Sequence, residues 1–229
     1  LVIIVEIMGR NAGWLTAASR LASVNGDGAD LIYLPEVPFC YEKFLRDVKK
    51  VVDEKNHCVV AVSEGIRFAD GRYVGEDGSS VDDFGHSQLG GVCSALKAQV
   101  KTLGIKCKAI ELNILQRCAA HCASETDIEE SFSAGRYAVK KAIEGETDKM
   151  IGFRRKGGNN YEIEYVAEPL SSAANAEKKI PAEWITEDGT SLTEDFVSYA
   201  LPLISGEPKR RLKNGLPEYA KLKFVKIKL

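Results

Sequence analysis

The feature that most constrains the fold is a change of pattern near the start of the chain. Val2–Ile7 is a short run rich in β-branched residues, which is typical of a strand covered on both faces. The run stops at Met8–Gly13 (MGRNAG), and apolar residues then recur at helical spacing from Trp14 to Leu21. A strand that leads at once into a helix predicts the first unit of an α/β fold.

The turn between this strand and helix has the outline of an anion site. Gly9 and Gly13 allow a tight turn with close approach of the backbone, and Asn11 is suited to cap the helix. Unpaired amides at a helix N-terminus attract phosphate, and Arg10 adds two parallel donors. A solvated charge on an ordinary turn also explains Arg10, and spacing alone favours that simpler interpretation.

The rest of the chain continues the alternation of strands and helices. The predicted strands are Leu31–Pro35, Cys58–Val62, Lys106–Leu115, Met150–Phe153 and Tyr161–Val166. The predicted helices are 41–55, Ser87–Leu103, a helix from the capping box Thr126–Glu129 to Gly145, and Thr193–Ile204. The polar stretch Asp70–Asp83 predicts a hairpin or surface loop. We therefore expect a Rossmann-like α/β fold, with a parallel sheet and helices on both faces.

Composition excludes several classes of protein. The 31 Lys and Arg residues nearly balance 33 Asp and Glu residues, so nothing favours nucleic-acid binding. No apolar run has the eighteen residues of a membrane span, and no membrane partner is expected. The six cysteines lack the paired spacing of a disulfide framework, which favours a reducing cytoplasm. The chain also lacks a P-loop and a Gly-x-Gly-x-x-Gly turn in the usual register, so neither a P-loop kinase nor nicotinamide binding is supported.

Three predicted strands end in unusual polar groups. Met8-Gly9-Arg10 follows the first strand, Glu64-Gly65 the third, and Gln116-Arg117 the fourth. Ligands bind beyond the carboxyl ends of strands in an open parallel sheet, so we expect these groups to face one crevice. Arginines suit phosphate, and a carboxylate suits sugar hydroxyls. Two simpler roles stay open: Glu64 as a cap of its own turn, and Arg117 as the partner of a structural carboxylate.

A second cluster of reactive side chains lies just beyond Arg117. Cys118, His121 and Cys122 have side chains that can bind a metal ion. The segment is rich in alanine and offers no fourth ligand, so we predict packing in the core and no metal site in this chain.

Several stretches resemble signatures of the 6-phosphofructokinase family, in order and nearly from end to end. They are Val5–Leu15 (VEIMGRNAGWL), Val62–Gly65 (VSEG), Phe84–Gly91 (FGHSQLGG), Glu111–His121 (ELNILQRCAAH), Asn175–Pro181 (NAEKKIP) and Leu216–Leu222 (LPEYAKL). Together they resemble most closely its short, bacterial-type pyrophosphate-dependent branch. Agreement of several motifs in order is far more specific than agreement of any one.

The resemblance implies roles for particular residues. Met8, Gly9 and Arg10 match the turn that holds fructose 6-phosphate, and Arg10 is also placed near the transferring group as a possible catalytic residue. Glu64 matches the carboxylate that accepts hydrogen bonds from the sugar, and Arg117 matches the arginine that grips the 6-phosphate.

The sequence also departs from the family pattern. Lys108 stands where a further phosphate-binding arginine is expected; it keeps the charge but lacks the bidentate fork. Ile114 replaces a histidine common in ATP-dependent relatives, and Leu1 replaces an arginine that many relatives supply across the subunit interface.

The resemblance further implies what lies upstream of Leu1. The Gly-rich donor loop and the Thr-x-Asp-x-Asp segment, whose Asp acts as base, precede the Met-Gly-Arg turn in the family and do not occur in these residues. We therefore expect the C-terminal part of such an enzyme, with residues missing before Leu1 and with this chain inactive alone. The implied division is a fructose 6-phosphate-binding domain at 1–115, a segment at 116–170 that packs with the donor-binding domain, and C-terminal helices and a tail at 171–229.

The implied reaction of the whole enzyme is phosphoryl transfer in glycolysis, from Mg-bound pyrophosphate or ATP to O1 of fructose 6-phosphate. Magnesium is then bound largely by the upstream half, and a homo-oligomer, dimer or tetramer, is expected. The alternative is a non-catalytic regulatory subunit that binds the sugar phosphate but lacks the donor site.

Overall fold

The first four strands form one parallel sheet. A computed structural model of the chain describes residues 1–75, 91–157, 160–174, 176–209 and 211–225. The strands are β1 (Val2–Ile7), β2 (Leu31–Tyr33), β3 (Cys58–Ser63) and β4 (Cys107–Glu111), in the order β2-β3-β1-β4. All three pairings are parallel, which confirms the predicted α/β fold.

The connections between these strands contain helices, as is usual for parallel strands. Helix α1 (Trp14–Ala17) continues as a 3₁₀ helix over Ala18–Asn25, α2 spans Tyr41–Lys55, and α3 spans Val92–Lys101. Ser87 to Gly90, at the start of the predicted third helix, lie outside the described residues, as do residues 76–83 of the predicted loop.

One face of the sheet packs on α2 and α3. Val2 and Ile4 of β1 are fully buried there, together with Phe44 and Val48 of α2 and Leu96 of α3. Alternate residues of β1 are only half-buried, so its second face is covered in part and not completely as the sequence predicted.

Strand β4 is shorter than predicted. It ends at Glu111, and α4 (Asn113–Arg117) begins two residues later, so Leu112–Leu115 is not strand. The last pair of the ladder joins Glu6 to Glu111, and the Leu112 amide donates to the Glu6 carbonyl at 3.2 Å before α4 begins.

The residues after α4 form a separate layer. A 3₁₀ turn at Ala120–Cys122 precedes α5 (Glu125–Ile143), and β5 (Lys149–Arg155) pairs antiparallel with β6 (Ile163–Pro169), followed by α6 (Leu170–Ala173). The predicted strands Met150–Phe153 and Tyr161–Val166 are therefore present, and they form a hairpin. The predicted capping box is wrong, since Ser124 caps α5 by accepting a hydrogen bond from the Asp127 amide at 3.1 Å.

The second face of the sheet is covered by residues from the last third of the chain. After a 3₁₀ turn at Ala182–Trp184 comes α7 (Glu194–Ala200), whose Phe196 and Val197 pack on Ile32 and Leu34 of the second strand and its extension. The predicted helix changes to 3₁₀ geometry at Leu201–Ile204, where Pro202 removes a backbone donor. Two short strands, β7 (Leu212–Lys213) and β8 (Leu216–Pro217), form a hairpin beyond it.

Every helix in the described part of the chain is too short or too polar to span a bilayer.

Candidate functional site

The segments that follow β1, β3 and β4 meet at the carboxyl edge of the sheet. They are Met8–Gly13, Ser63–Arg67 and Leu112–Arg117, which include most of the polar groups singled out from the sequence. Hydrogen bonds between residues far apart in the chain join them. The structure therefore brings Met8, Gly9, Arg10, Glu64 and the helix carrying Arg117 to one edge.

Glu64 contacts the turn after β1 directly. The Gly9 amide donates to Glu64 Oε1 at 3.1 Å, and the Glu64 amide donates to the carbonyl of Ile7 at 3.1 Å. The carboxylate thus caps a neighbouring turn and not its own. Its Oε2 has no hydrogen bond to the described residues, which leaves an acceptor for a ligand hydroxyl.

Ser63 and Gly65 hold the two turns in close contact. The Ser63 hydroxyl donates to the carbonyl of Gly9 and accepts from the Gly65 amide at 3.1 Å. A Cβ built on Gly65 would lie 1.8 Å from the carbonyl oxygen of Arg10, so any side chain there would displace the turn. Ser63 was not among the predicted site residues, although a hydroxyl directly before Glu-Gly at a strand end is a usable signal.

Gln116 connects the third segment to the same turn. Its Oε1 accepts from the Met8 amide at 2.9 Å, and its Nε2 donates to the Met8 carbonyl at 3.5 Å. Arg117, the next residue, is exposed and has no hydrogen-bond or ion-pair partner in the described part of the chain. The structural carboxylate considered for Arg117 is therefore not found there, and its guanidinium is available to a ligand.

The helix N-terminus after β1, where the sequence indicates the outline of an anion site, is occupied by a side chain of this chain. The Gly13 amide donates to both oxygens of Glu36, at 2.9 and 3.2 Å, so an internal carboxylate already occupies the anion position. Asn11 does not cap this helix either, because Gly13 is its N-cap and Asn11 Oδ1 accepts from Arg67 Nη2 at 3.0 Å. In this turn, the groups that can bind phosphate are therefore cationic side chains.

Arg10 is half-buried beside an aromatic ring. Its guanidinium carbon lies 5.6 Å from the ring centroid of Tyr73, a favourable cation–π distance. The interpretation of Arg10 as an ordinary solvated charge is thus not supported.

Lys108 is not brought to this edge within the chain. It is exposed on β4 and pairs with Ile3, near the amino ends of the strands. Any phosphate that it contacts must bind elsewhere than between Arg10 and Arg117 of the same chain.

The cysteines near Arg117 are not in the core. Cys118, His121 and Cys122 are all exposed, so the prediction that they pack in the core is wrong, since no element of the described chain covers the segment.

A different group of metal-ligating side chains lies at the ends of β1 and β4. One ligand atom from each of Glu6, Cys93 and Glu111 lies within 4.8 Å of the others. The Cys93 amide donates to Glu6 Oε2 at 2.8 Å, and burial raises the pKa of Glu6 above its usual value and that of the Cys93 thiol to about 12. A buried, protonated thiol does not suit magnesium, which prefers oxygen ligands, so this group does not fit that ion.

The sequence and the fold were each compared with known proteins. Residues 1–140 match the phosphofructokinase family. A pyrophosphate–fructose 6-phosphate 1-phosphotransferase of Halomonas elongata is 40% identical over 223 residues, which cover 96% of this chain and 53% of the relative. A relative of the same name from Xanthomonas campestris is 43% identical over 229 residues, covering 99% of this chain and 55% of the relative. The chain thus spans about half the length of the curated relatives it matches.

Solved structures give the same result. A pyrophosphate-dependent phosphofructokinase from Marinobacter aquaeolei superposes with a TM-score of 0.81 at 36% identity, covering 100% of this chain and 54% of that one. One from Nitrosospira multiformis also gives a TM-score of 0.81, at 35% identity, covering 96% of this chain and 52% of that one.

Proposed function

The chain belongs to the phosphofructokinase family, and we propose that it forms part of an enzyme that transfers a phosphoryl group from pyrophosphate to O1 of fructose 6-phosphate. The observation that carries the proposal is the set of hydrogen bonds that draws the ends of β1, β3 and β4 into one polar edge. The names of the relatives support pyrophosphate as donor; ATP is the other donor to test.

Each residue of this edge has a distinct proposed role. The exposed Arg117 grips the 6-phosphate through parallel N–H donors. Glu64, with one oxygen on the Gly9 amide, accepts a sugar hydroxyl with the other. The amides of Met8 and Gly9 are paired with Gln116 and Glu64, so these residues offer the substrate the second lone pairs of their carbonyl oxygens. Arg10 lies near the transferring group, where it stabilises negative charge.

The proposed role of Lys108 requires an oligomer. Since Lys108 lies away from the edge, its phosphate contact is to the site of another copy of the chain. We propose a homo-oligomer, dimer or tetramer, on that ground.

The donor half lies outside this chain in the proposal. The described residues contain no cluster that fits magnesium, so Mg²⁺, which neutralises the phosphates of the donor, is held by the part of the enzyme that the chain does not span. The base that accepts the proton of the 1-hydroxyl is placed there too. Residues 116–170 pack against that half, and 171–229 form the C-terminal segment.

The proposed setting is glycolysis in a reducing cytoplasm. The six cysteines are all unpaired, which supports a compartment where thiols stay reduced.

The proposal is tested by calorimetric titration of this chain with fructose 6-phosphate, with fructose as the control ligand. We expect saturable binding that needs the phosphate, weakened about tenfold or more by Arg117→Ala, because a charge-assisted bond contributes about 1.5 to 3 kcal/mol. The exposed Arg136 on α5 provides the control variant Arg136→Ala, which should bind as the wild type does.

The full-length protein gives the second measurement. We expect the full-length protein to turn over pyrophosphate and fructose 6-phosphate, and Arg117→Ala to raise the KM for the sugar phosphate. This result would support the proposed phosphotransferase activity. Binding without any turnover would point to a non-catalytic regulatory subunit, and an unchanged KM would refute the role of Arg117.

A further inference from the structure

Gln116 connects the helix that carries Arg117 to the end of β1. Its side-chain amide pairs with both backbone groups of Met8: Oε1 accepts from the amide at 2.9 Å, and Nε2 donates to the carbonyl at 3.5 Å. One residue of an antiparallel strand would pair with Met8 in the same way. The side chain of Gln116 therefore takes the place of a strand partner for Met8.

This contact lies just beyond the ladder of β1 and β4. The last pair of that ladder joins Glu6 to Glu111. The chain then leaves the strand direction at Asn113, the first residue of α4, whose φ of +43° is left-handed. Gln116 reaches back from α4 to Met8, two residues after Glu6. The helix is therefore held at the end of β1 by a side chain and not by a continued strand.

Apolar packing contributes little to the position of α4. Its two large apolar side chains, Ile114 and Leu115, are 60% and 66% exposed, and none of its five residues is buried. Gln116 is its half-buried member. Within the described part of the chain, the side-chain hydrogen bonds that α4 makes are the two from Gln116. A helix of five residues is not stable by itself, so its position depends on these polar contacts.

The same contact determines where the side chain of Arg117 begins. Arg117 directly follows Gln116, and consecutive Cα atoms lie about 3.8 Å apart. Its own side chain is exposed and has no hydrogen-bond or ion-pair partner among the described residues. The base of the arginine is therefore held near Met8, while its guanidinium stays available to a ligand. A binding side chain on a held backbone loses less conformational freedom when the ligand binds.

We propose that Gln116 is a positioning residue for the sugar phosphate: it makes no contact with the ligand, and it holds Arg117 at the place from which the guanidinium binds the 6-phosphate. The role of Arg117 in this inference rests on the proposed function; the attachment of α4 to Met8 does not. Without Gln116 the helix must be ordered when the ligand binds, and that loss of conformational entropy weakens the affinity.

The test is a double-mutant cycle of Gln116→Met and Arg117→Ala, measured by calorimetric titration of this chain with fructose 6-phosphate. Methionine keeps the length of the side chain and removes both hydrogen bonds. Alone, Gln116→Met should weaken binding about three- to tenfold, the effect of about one neutral hydrogen bond. In the Arg117→Ala background it should weaken binding less than about twofold, because Gln116 acts through Arg117. The control is Gln99→Met, at a half-buried glutamine of α3 whose side chain has no hydrogen bond to the described residues; it should leave the affinity unchanged.

Amide hydrogen exchange tests the attachment of α4 without any ligand. The Met8 amide should exchange faster in Gln116→Met than in the wild type or in Gln99→Met, because it loses its acceptor. Unchanged exchange at Met8, equal affinity losses in Gln116→Met and Gln99→Met, or an equally large loss in the Arg117→Ala background would each overturn the proposal.

The same measurements separate this proposal from the proposed function. A wild-type chain that does not bind fructose 6-phosphate would refute the acceptor site, whereas faster exchange at Met8 in Gln116→Met would still show that Gln116 holds α4 in place. In the full-length protein, Gln116→Met should raise the KM for the sugar phosphate and leave kcat and the KM for pyrophosphate unchanged, because the lost binding is the same in the ground state and the transition state.

Discussion

The sheet region, residues 1–111 with 180–200, and the hairpin region, residues 112–174, differ in how they bury apolar side chains. Phe44 in the sheet region is completely buried, whereas Phe132 in the hairpin region is 68% exposed. No described residue from 112 to 174 is buried. The sheet region therefore completes its own hydrophobic core, and the hairpin region does not.

Helix α5 shows the reason for this difference. Its inner face contacts the β5–β6 hairpin, where Tyr137 lies 6.0 Å from Tyr165 between ring centroids. The opposite face carries an exposed apolar stripe at helical spacing, formed by Ile128, Phe132, Val139 and Ile143. Apolar residues on both faces indicate a helix buried between two layers, of which this chain provides one. The stripe supports our proposal that residues 116–170 pack against the donor half.

The largest expected effect comes from truncating a phenylalanine in each region. In this chain Phe44→Ala should lower the free energy of unfolding by about 3 to 5 kcal/mol, because it leaves a cavity in a closed core. Phe132→Ala should change it by less than about 0.5 kcal/mol, because the side chain is already in water. Chemical denaturation of both variants measures the difference.

The full-length protein serves as the control for this comparison. If the donor half covers the stripe, Phe132→Ala in the full-length protein should lower the free energy of unfolding several times more than it does in this chain. Equal and small costs in both would break the comparison and remove the support for that packing.

A second prediction tests whether the C-terminal residues belong to the sheet region. Glu36 Oε1 accepts from the amides of Gly13 and Ile180, at 2.9 and 3.2 Å, and so ties the segment before α7 to the first turn. Glu36→Ala leaves two amides of buried residues unpaired and should cost about 1.5 to 3 kcal/mol in unfolding free energy. Glu177→Ala, at an exposed residue of the same segment, is the control. Equal stability of the two variants would show that the bridge contributes nothing.

A third prediction compares a glycine of each region. Gly65→Ala has no room for its Cβ and should lower the free energy of unfolding by about 1 to 3 kcal/mol. It should also weaken fructose 6-phosphate binding, because the turn that carries Arg10 must move. Gly135→Ala on α5 meets open space and should stabilise this chain by about 0.5 to 1 kcal/mol. Thermal unfolding of both variants shows whether each is less or more stable than the wild type. A gain at Gly65, or a loss at Gly135, would contradict the packing described for that region.

The fold was largely predictable from sequence because its signals are local. The β-branched run of β1, the apolar spacing of α2 and the Gly-rich turns each predict one element, and a parallel sheet places the strand ends at one edge. This rule for parallel sheets is enough to predict correctly that Arg10, Glu64 and the Gln116-Arg117 pair lie at one edge.

Several of the errors involve partners distant in the chain, whereas the misplaced cap of α5 is a local one. The anion position at Gly13 is occupied by Glu36, 23 residues later, and Met8 is bound by Gln116, 108 residues later. Strand β4 ends at Glu111 and α4 begins at Asn113, although the apolar residues Ile114 and Leu115 continue the strand-like pattern. Cys118 and Cys122 were expected in a core that this chain does not complete by itself.

The smallest expected effect concerns a charge inside the closed core. Glu6 is 92% buried at the end of β1, and desolvation raises its pKa, with smaller contributions from Glu111 and Glu64, although hydrogen bonds from Cys93 oppose the rise. The folded state therefore holds the proton more tightly than the unfolded state, whose pKa is near 4.5. Stability is lost as the pH rises from that value through the folded pKa.

Glu6→Gln removes this loss while keeping an acceptor for the Cys93 amide. Relative to the wild type, the variant should therefore gain stability as the pH rises above about 4.5. Urea denaturation at several pH values measures the difference, and a difference that stays constant would show that Glu6 is solvated despite its position. That outcome would mean that the sheet region is open at this edge even where its side chains are most buried.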